Sequence, residues 1–150
     1  TIYAGGPCAA VFKSTDGGGS WSTANIVGAT SIQALAIDPV TPGIIYAATE
    51  GPVLKSTDGG RNWRELGNGL PHPVIGSIEA MSHHDWPGGA MLTIATGTGE
   101  IFASVDAGES GTCVIDGLAP ISKAGHYRAF LPPGAHTRQG LAAFVEPADR

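Results

Sequence analysis

Ser56-Thr57-Asp58-Gly59-Gly60-Arg61-Asn62-Trp63 decides how this chain folds, because the chain contains it more than once. Ser14-Thr15-Asp16-Gly17-Gly18-Gly19-Ser20-Trp21 is a second copy, and Ser104-Val105-Asp106-Ala107-Gly108-Glu109-Ser110-Gly111 is a worn third one. All three boxes share Ser-x-Asp-x-Gly, and Asp16, Asp58 and Asp106 are 42 and then 48 residues apart. The flanks repeat too. Ile2-Tyr3-Ala4 matches Ile45-Tyr46-Ala47, and Val11-Phe12-Lys13 matches Val53-Leu54-Lys55 and Ile101-Phe102-Ala103. Ser31-Ile32-Gln33-Ala34-Leu35 matches Ser77-Ile78-Glu79-Ala80-Met81, and Asn68-Gly69-Leu70 matches Asp116-Gly117-Leu118. A period of about 40 to 50 residues carrying several short strands is the size of one four-stranded propeller blade.

Each box suits a strand-to-strand turn. Asp and Ser side chains accept bonds from backbone N–H groups of their own turn, Gly supplies positive φ, and Trp covers the loop as the next strand begins. Ser14, Asp16, Gly18, Trp21, Ser56, Asp58, Gly60, Trp63, Ser104, Asp106 and Gly108 are therefore expected to be structural. A glycine-rich phosphate cradle would need a helix after the turn, and none fits here.

In the second repeat, the pattern places an inner strand over 31–37, then strands over 44–49, 52–56 and 63–66. The inner strand is apolar on both faces, with Ile32, Ala34 and Ala36 expected on one and Leu35 and Ile37 on the other. The third repeat runs from Gly76 to Ile115, whereas Thr1 enters the first at its second strand. A further inner strand is expected over 126–131, to open another blade or pair back onto the first, and the tail 132–150 shows no repeat. The blades thus occupy 1–131.

Composition excludes the other fold classes. Gly (23) and Pro (11) together make up nearly a quarter of the 150 residues. The longest runs free of both, Ala29–Asp38 and Ser77–Trp86, fall short of an average helix of about 11–12 residues. Helical bundles and doubly wound α/β folds are excluded. With 42% hydrophobic and 14% charged residues the chain is globular rather than disordered, and an all-β fold remains.

Eight Lys+Arg against thirteen Asp+Glu give a net charge of −5 with no basic cluster, which argues against nucleic acid and anionic membranes. No apolar stretch is long enough for a membrane-spanning helix, and no signal-peptide pattern precedes the first strand. A start at Thr1 suggests a processed or excised piece. The compartment stays open. Cys8 and Cys113 form either one long-range disulfide or, the favoured reading, two buried thiols.

Ser-x-Asp-x-Gly-x-x-Trp at blade spacing resembles the Asp-box, or BNR, repeat, and residues 1–131 are similar to bacterial BNR-repeat β-propellers labelled glycosyl hydrolase or sialidase-like. The same repeat occurs in sialidases, xyloglucan-cleaving endoglucanases, sortilin-type receptors and the photosystem II stability and assembly factor. The resemblance implies a β-propeller of about three blades, one incomplete, cut from a larger whole. It also implies boxes at the blade periphery that take no part in chemistry. Activity does not follow from the fold.

Catalytic residues do not carry over. The sialidase arginine triad finds only Arg61, Arg64, Arg128, Arg138 and Arg150, two of them in or beside a box, and no Arg-Ile-Pro motif is present. The endoglucanases use opposed aspartates. Asp38 and Asp85 are the candidates outside the boxes, and Asp38-Pro39 reads as a strand-ending turn. No catalytic residue, cofactor or metal site is expected. In His83-His84-Asp85-Trp86 the adjacent histidines point to opposite faces of a strand and cannot share an ion, so His83 is expected to be a strand-end histidine held by a backbone partner. Lys123, His126, Tyr127 and Arg128 form a polar, aromatic and cationic group where a propeller exposes a ligand face.

The expected role is a non-catalytic propeller scaffold or binding module. Alternatives are part of a glycoside hydrolase with its active residues in other blades, or an assembly factor that grips another protein. Carbohydrate or protein are the expected partners, and the open blade edges predict self-association, because closure takes about 4–8 blades.

Overall fold

Short β-prone runs bounded by Gly, Pro and Asp-Gly turns leave the chain only antiparallel meanders, and the computed structural model describes residues 1–6, 10–25, 31–70 and 76–121. Cys8, the strand expected over 126–131, the tail 132–150, and Lys123, His126, Tyr127 and Arg128 lie outside the described residues.

Eleven strands form three sheets, and there is no helix among the described residues. β1 (Ile2–Gly5), β2 (Ala10–Ser14) and β3 (Ser22–Asn25) make the first blade. β4 (Ile32–Ile37), β5 (Ile45–Thr49), β6 (Val53–Ser56) and β7 (Arg64–Leu66) make the second. β8 (Ile78–Trp86), β9 (Gly89–Thr96), β10 (Ile101–Ser104) and β11 (Thr112–Ile115) make the third. In each sheet, chain order is spatial order, and every pairing is antiparallel. The strands expected in the second blade are present to within a residue or so, and the first sheet has three strands against four in each of the others.

The inner strands β4 and β8 lie against each other, tied by the Ile78 N–H donating to Gln33 Oε1 at 2.8 Å. Both carry a register irregularity at the same repeat position, between Ile32 and Ala34 and between Ile78 and Ala80. An extra residue reverses the alternation beyond it. Ile32 therefore packs with Leu35 against Val11, Ala47 and Leu54, while Ala34 and Ala36 face the opposite cluster. This corrects the grouping of Ile32 with Ala34 and Ala36, because strict period-two alternation cannot anticipate a bulge.

The middle blade is buried on both faces. Along β5, Ala47 turns toward the first blade, whereas Tyr46 and Ala48 turn toward the third and meet Ile78, Leu92 and Ile94. Every residue of β5 and β6 is buried. The outermost strand β11 is exposed along its whole length, and Cys113 is exposed with it. The buried-thiol expectation fails at Cys113, because no sheet covers the outer edge of this blade among the described residues.

Candidate functional site

The three boxes close in the same way. Ser14, Ser56 and Ser104 each donate from Oγ to the Asp two residues on, at 2.8, 2.9 and 2.8 Å. The same oxygens accept from the N–H of Gly18, Gly60 and Gly108. The Asp carboxylate then gathers bonds from the far side of the turn. Bonds from the side chain and backbone of Ser20 hold Asp16 well below the usual carboxylate range. Backbone and side-chain bonds from Asn62 hold Asp58 down at about 2, and bonds from Ser110 do the same for Asp106. Trp21 and Trp63 fold back and donate from Nε1 to the carbonyls of Gly18 and Gly60, at 3.1 and 3.0 Å. The worn third box keeps the Ser–Asp geometry intact without a Trp.

The second and third boxes are also gripped by the blade before them. Lys55 on β6 donates to the Ala107 carbonyl at 2.7 Å, and Tyr46 Oη on β5 donates to the same oxygen at 3.2 Å. Lys55 also pairs with Glu109 at 3.4 Å, and Arg64 pairs with the same carboxylate, lowering its pKa. Further out, Asn68 Nδ2 donates to the Glu109 carbonyl, and the Gly111 N–H donates to the Asn68 carbonyl at 2.8 Å. Lys13 on β2 and Tyr3 on β1 repeat the arrangement toward the second box. Lys13 Nζ sits 5.5 Å from the Tyr3 ring centre and 3.5 Å from the Gly59 carbonyl.

The two junctions differ at one slot. Glu109 answers Lys55, whereas the equivalent position of the second box is Arg61. No acid neutralises Lys13 among the described residues, and a groove of about 280 Å³ opens there, lined by Tyr3, Lys13, Thr15, Thr23 and Arg61. Sequence reasoning passed over this groove because it treated the boxes as isolated turns.

A second cluster lies where the inner strands meet. Asp38, just past β4, accepts from the N–H groups of Val40 and Thr41 at 2.8 and 2.7 Å, through Oδ1 in both cases. This is the strand-ending turn expected of Asp38-Pro39. His83 and Asp85 alternate with the exposed His84 and Trp86 along β8, so they face inward together. His83 Nδ1 lies 3.1 Å from Asp85 Oδ2, and the His83 ring stacks on Tyr46 with centroids 5.3 Å apart. Burial, with Asp38 nearby, pushes the Tyr46 hydroxyl up to about 12. Thus His83 faces a carboxylate rather than the backbone partner expected from the sequence. His84 and Trp86 share the other face, with ring centres 6.1 Å apart.

The two aspartates singled out as possible catalysts do converge, with ligand atoms of Asp38, His83 and Asp85 all within 4.8 Å of one another. Asp38 is buried and engaged by its turn, and His83 sits beside them with a side chain only 1% exposed. Glycoside hydrolysis places its two carboxyl groups about 5–9.5 Å apart on either side of the scissile bond.

No family model matches the chain, and no curated protein sequence matches it. Solved structures do. The chain is similar to a structure of YCF48 bound to a D1 peptide, with TM-score 0.62 and 19% identity over 79% of this chain and 38% of that one. It is similar also to YCF48 from Cyanidioschyzon merolae, with TM-score 0.56 and 18% identity over 75% of this chain and 32% of that one. The chain spans between about a third and two fifths of the length of these structures. One three-stranded and two four-stranded antiparallel sheets, without a helix among the described residues and superposing on these structures, make the fold that of a partial β-propeller.

Proposed function

We propose that this chain is a non-catalytic binding module of Asp-box, or BNR, type that holds an extended acidic segment of another protein. The observation that carries the reading is the groove between the first two blades, lined by Lys13 and Arg61 with no acid paired to Lys13 among the described residues, whereas at the next junction Glu109 pairs with the equivalent Lys55. An acidic side chain or a chain-terminal carboxylate fits that slot, with Tyr3 as an aromatic wall and the hydroxyls of Thr15 and Thr23 as adaptable partners. The peptide in one of the similar YCF48 structures supports the class of partner. An assembly-factor role is the biological form this reading takes.

A labelled glutamate-rich peptide titrated onto the chain tests it by fluorescence polarisation. Saturable, salt-sensitive binding that weakens at least tenfold in Lys13→Met and Arg61→Glu is expected. Binding indifferent to both substitutions overturns the assignment of the groove. Turnover of aryl glycosides, sialosides included, that disappears in Asp38→Asn or Asp85→Asn overturns the non-catalytic reading in favour of a glycoside hydrolase.

A further inference from the structure

We infer that Asp38, His83 and Asp85 form a binding site for a single first-row divalent cation, Zn²⁺ by preference, that staples the second blade to the third. The inference is independent of the peptide-binding reading and departs from the expectation of no metal site. That expectation rested on His83 and His84, which do point apart. The site instead uses His83 with Asp85, two residues on and on the same face of β8, and a third ligand from the neighbouring blade.

The His83 side chain is 1% exposed and that of Asp85 19%, yet neither His83 Nδ1 nor Asp85 Oδ2 makes a hydrogen bond. Their 3.1 Å approach is misaligned for one. Buried polar atoms without partners are rare, and a pair aimed at the same spot calls for a third body between them. Two ligand atoms on a tetrahedral Zn²⁺, with bonds of about 2.0–2.1 Å, stand about 3.3 Å apart, close to the separation seen.

Asp38 supplies what the pair lacks. Its Oδ1 is committed to Val40 and Thr41, which fixes the carboxylate's orientation at the end of β4, and among the described residues no hydrogen bond falls on its Oδ2. Two carboxylates this close in a mostly buried position repel each other unless a cation lies between them. A bound divalent ion offsets both charges. The stacked Tyr46 ring covers one face of the imidazole and holds its plane, and the hydroxyl of Tyr46 bonds to the Ala107 carbonyl. One nitrogen and two oxygens, with no thiolate, suit Zn²⁺, Co²⁺ or Mn²⁺ better than soft-metal chemistry, and three protein ligands leave a fourth position for water.

The test is titration of the chelator-treated chain with Co²⁺, read by its visible ligand-field absorption, followed by displacement with Zn²⁺. One equivalent is expected to bind, with a tetrahedral, thiolate-free spectrum, and Zn²⁺ in hundredfold excess over its dissociation constant is expected to raise the thermal midpoint. His83→Gln, Asp85→Asn and Asp38→Asn should each weaken binding at least tenfold, whereas His84→Gln and Cys113→Ser should bind as the unsubstituted chain does. If His83→Gln does not fold, Asp38→Asn decides, because Asn keeps the carbonyl that caps the turn. Absence of saturable binding at millimolar Co²⁺ and Zn²⁺ overturns the inference and leaves a misaligned His–Asp pair. Binding that survives in Asp38→Asn and Asp85→Asn, or that is lost in His84→Gln or Cys113→Ser, also overturns it, as does stoichiometric Ca²⁺ binding without Zn²⁺ or Co²⁺.

Discussion

Lys55 reaches from the third strand of one blade to the carbonyl of Ala107 in the box of the next, a 2.7 Å bond across 52 residues of sequence. Its ammonium also lies 5.6 Å from the centre of the Tyr46 ring, whose hydroxyl donates to the same carbonyl. The contact ties blade to blade with a buried charged donor, which contributes more than an exposed ion pair does.

Lys55→Met should therefore cost about 1.5–3 kcal/mol, the range for a hydrogen bond to a charged group. Lys13→Met, whose bond to Gly59 is stretched to 3.5 Å and only part-buried, should cost less than about 1 kcal/mol. Urea unfolding of the two variants checks the order. Equal losses would mean that the grip is not the source of the effect.

Restoring the missing aromatic residue of the third box should harm the protein. A Cβ at Gly111 would meet Leu70 Cδ2 at 2.3 Å, because the loop after β7 packs directly against this position. Gly111→Trp is expected to destabilise by about 1–3 kcal/mol through overpacking, although it matches the repeat more closely. A raised melting temperature would refute this.

Two glycines with left-handed backbones should separate in a stability assay. Gly17 has φ of +75° with open space around it, and the equivalent Ala107 already holds φ of 59°. Gly17→Ala should cost about 1 kcal/mol. Gly69 has φ of +86°, and a Cβ there would lie 2.1 Å from the Gly111 carbonyl oxygen. Gly69→Ala should cost about 2–4 kcal/mol, since backbone strain and overlap add.

Acid should loosen the boxes. Asp58 and Asp106 are held near 2 against an ordinary value of 3.8, so their folded pKa values are depressed. Stability from these carboxylates is fully present above about pH 4 and is lost as pH falls through about 2. The urea midpoint is expected to drop across that window, and the drop should shrink in an Asp58→Asn, Asp106→Asn double variant. A midpoint flat between those pH values would show that the boxes contribute no linkage.

Ser56→Ala removes the acceptor for the buried N–H of Gly60, at 2.9 Å, and should cost about 1–3 kcal/mol. The same change at Ser14, whose bond to Gly18 is only part-buried, should cost less. Amide hydrogen exchange at Gly60 and Gly18 reads the two bonds directly.

The boxes, the strand order and the blade period were legible in the residues, because each depends on contacts within a few positions of chain. Ser56, Asp58 and Gly60 close their own turn whatever surrounds them, and alternation within 44–49 and 52–56 needs only a neighbouring strand. The same local reading placed Asp38 in a turn and kept His83 from pairing with His84. It failed at Ile32, where one extra residue reverses the face, and at Cys113, whose exposure depends on what covers the outer strand.

Contacts between blades were beyond such a reading. Lys55 with Ala107, Arg61 in the slot that Glu109 fills elsewhere, and Asp38 with His83 and Asp85 join residues tens of positions apart, and nothing in their local sequence marks them as neighbours. Hydrogen bonding and periodicity over short stretches build each sheet. How the sheets face one another, and so where charge is left unanswered or buried atoms converge, is set by packing side chains from different repeats, and that belongs to the tertiary structure alone.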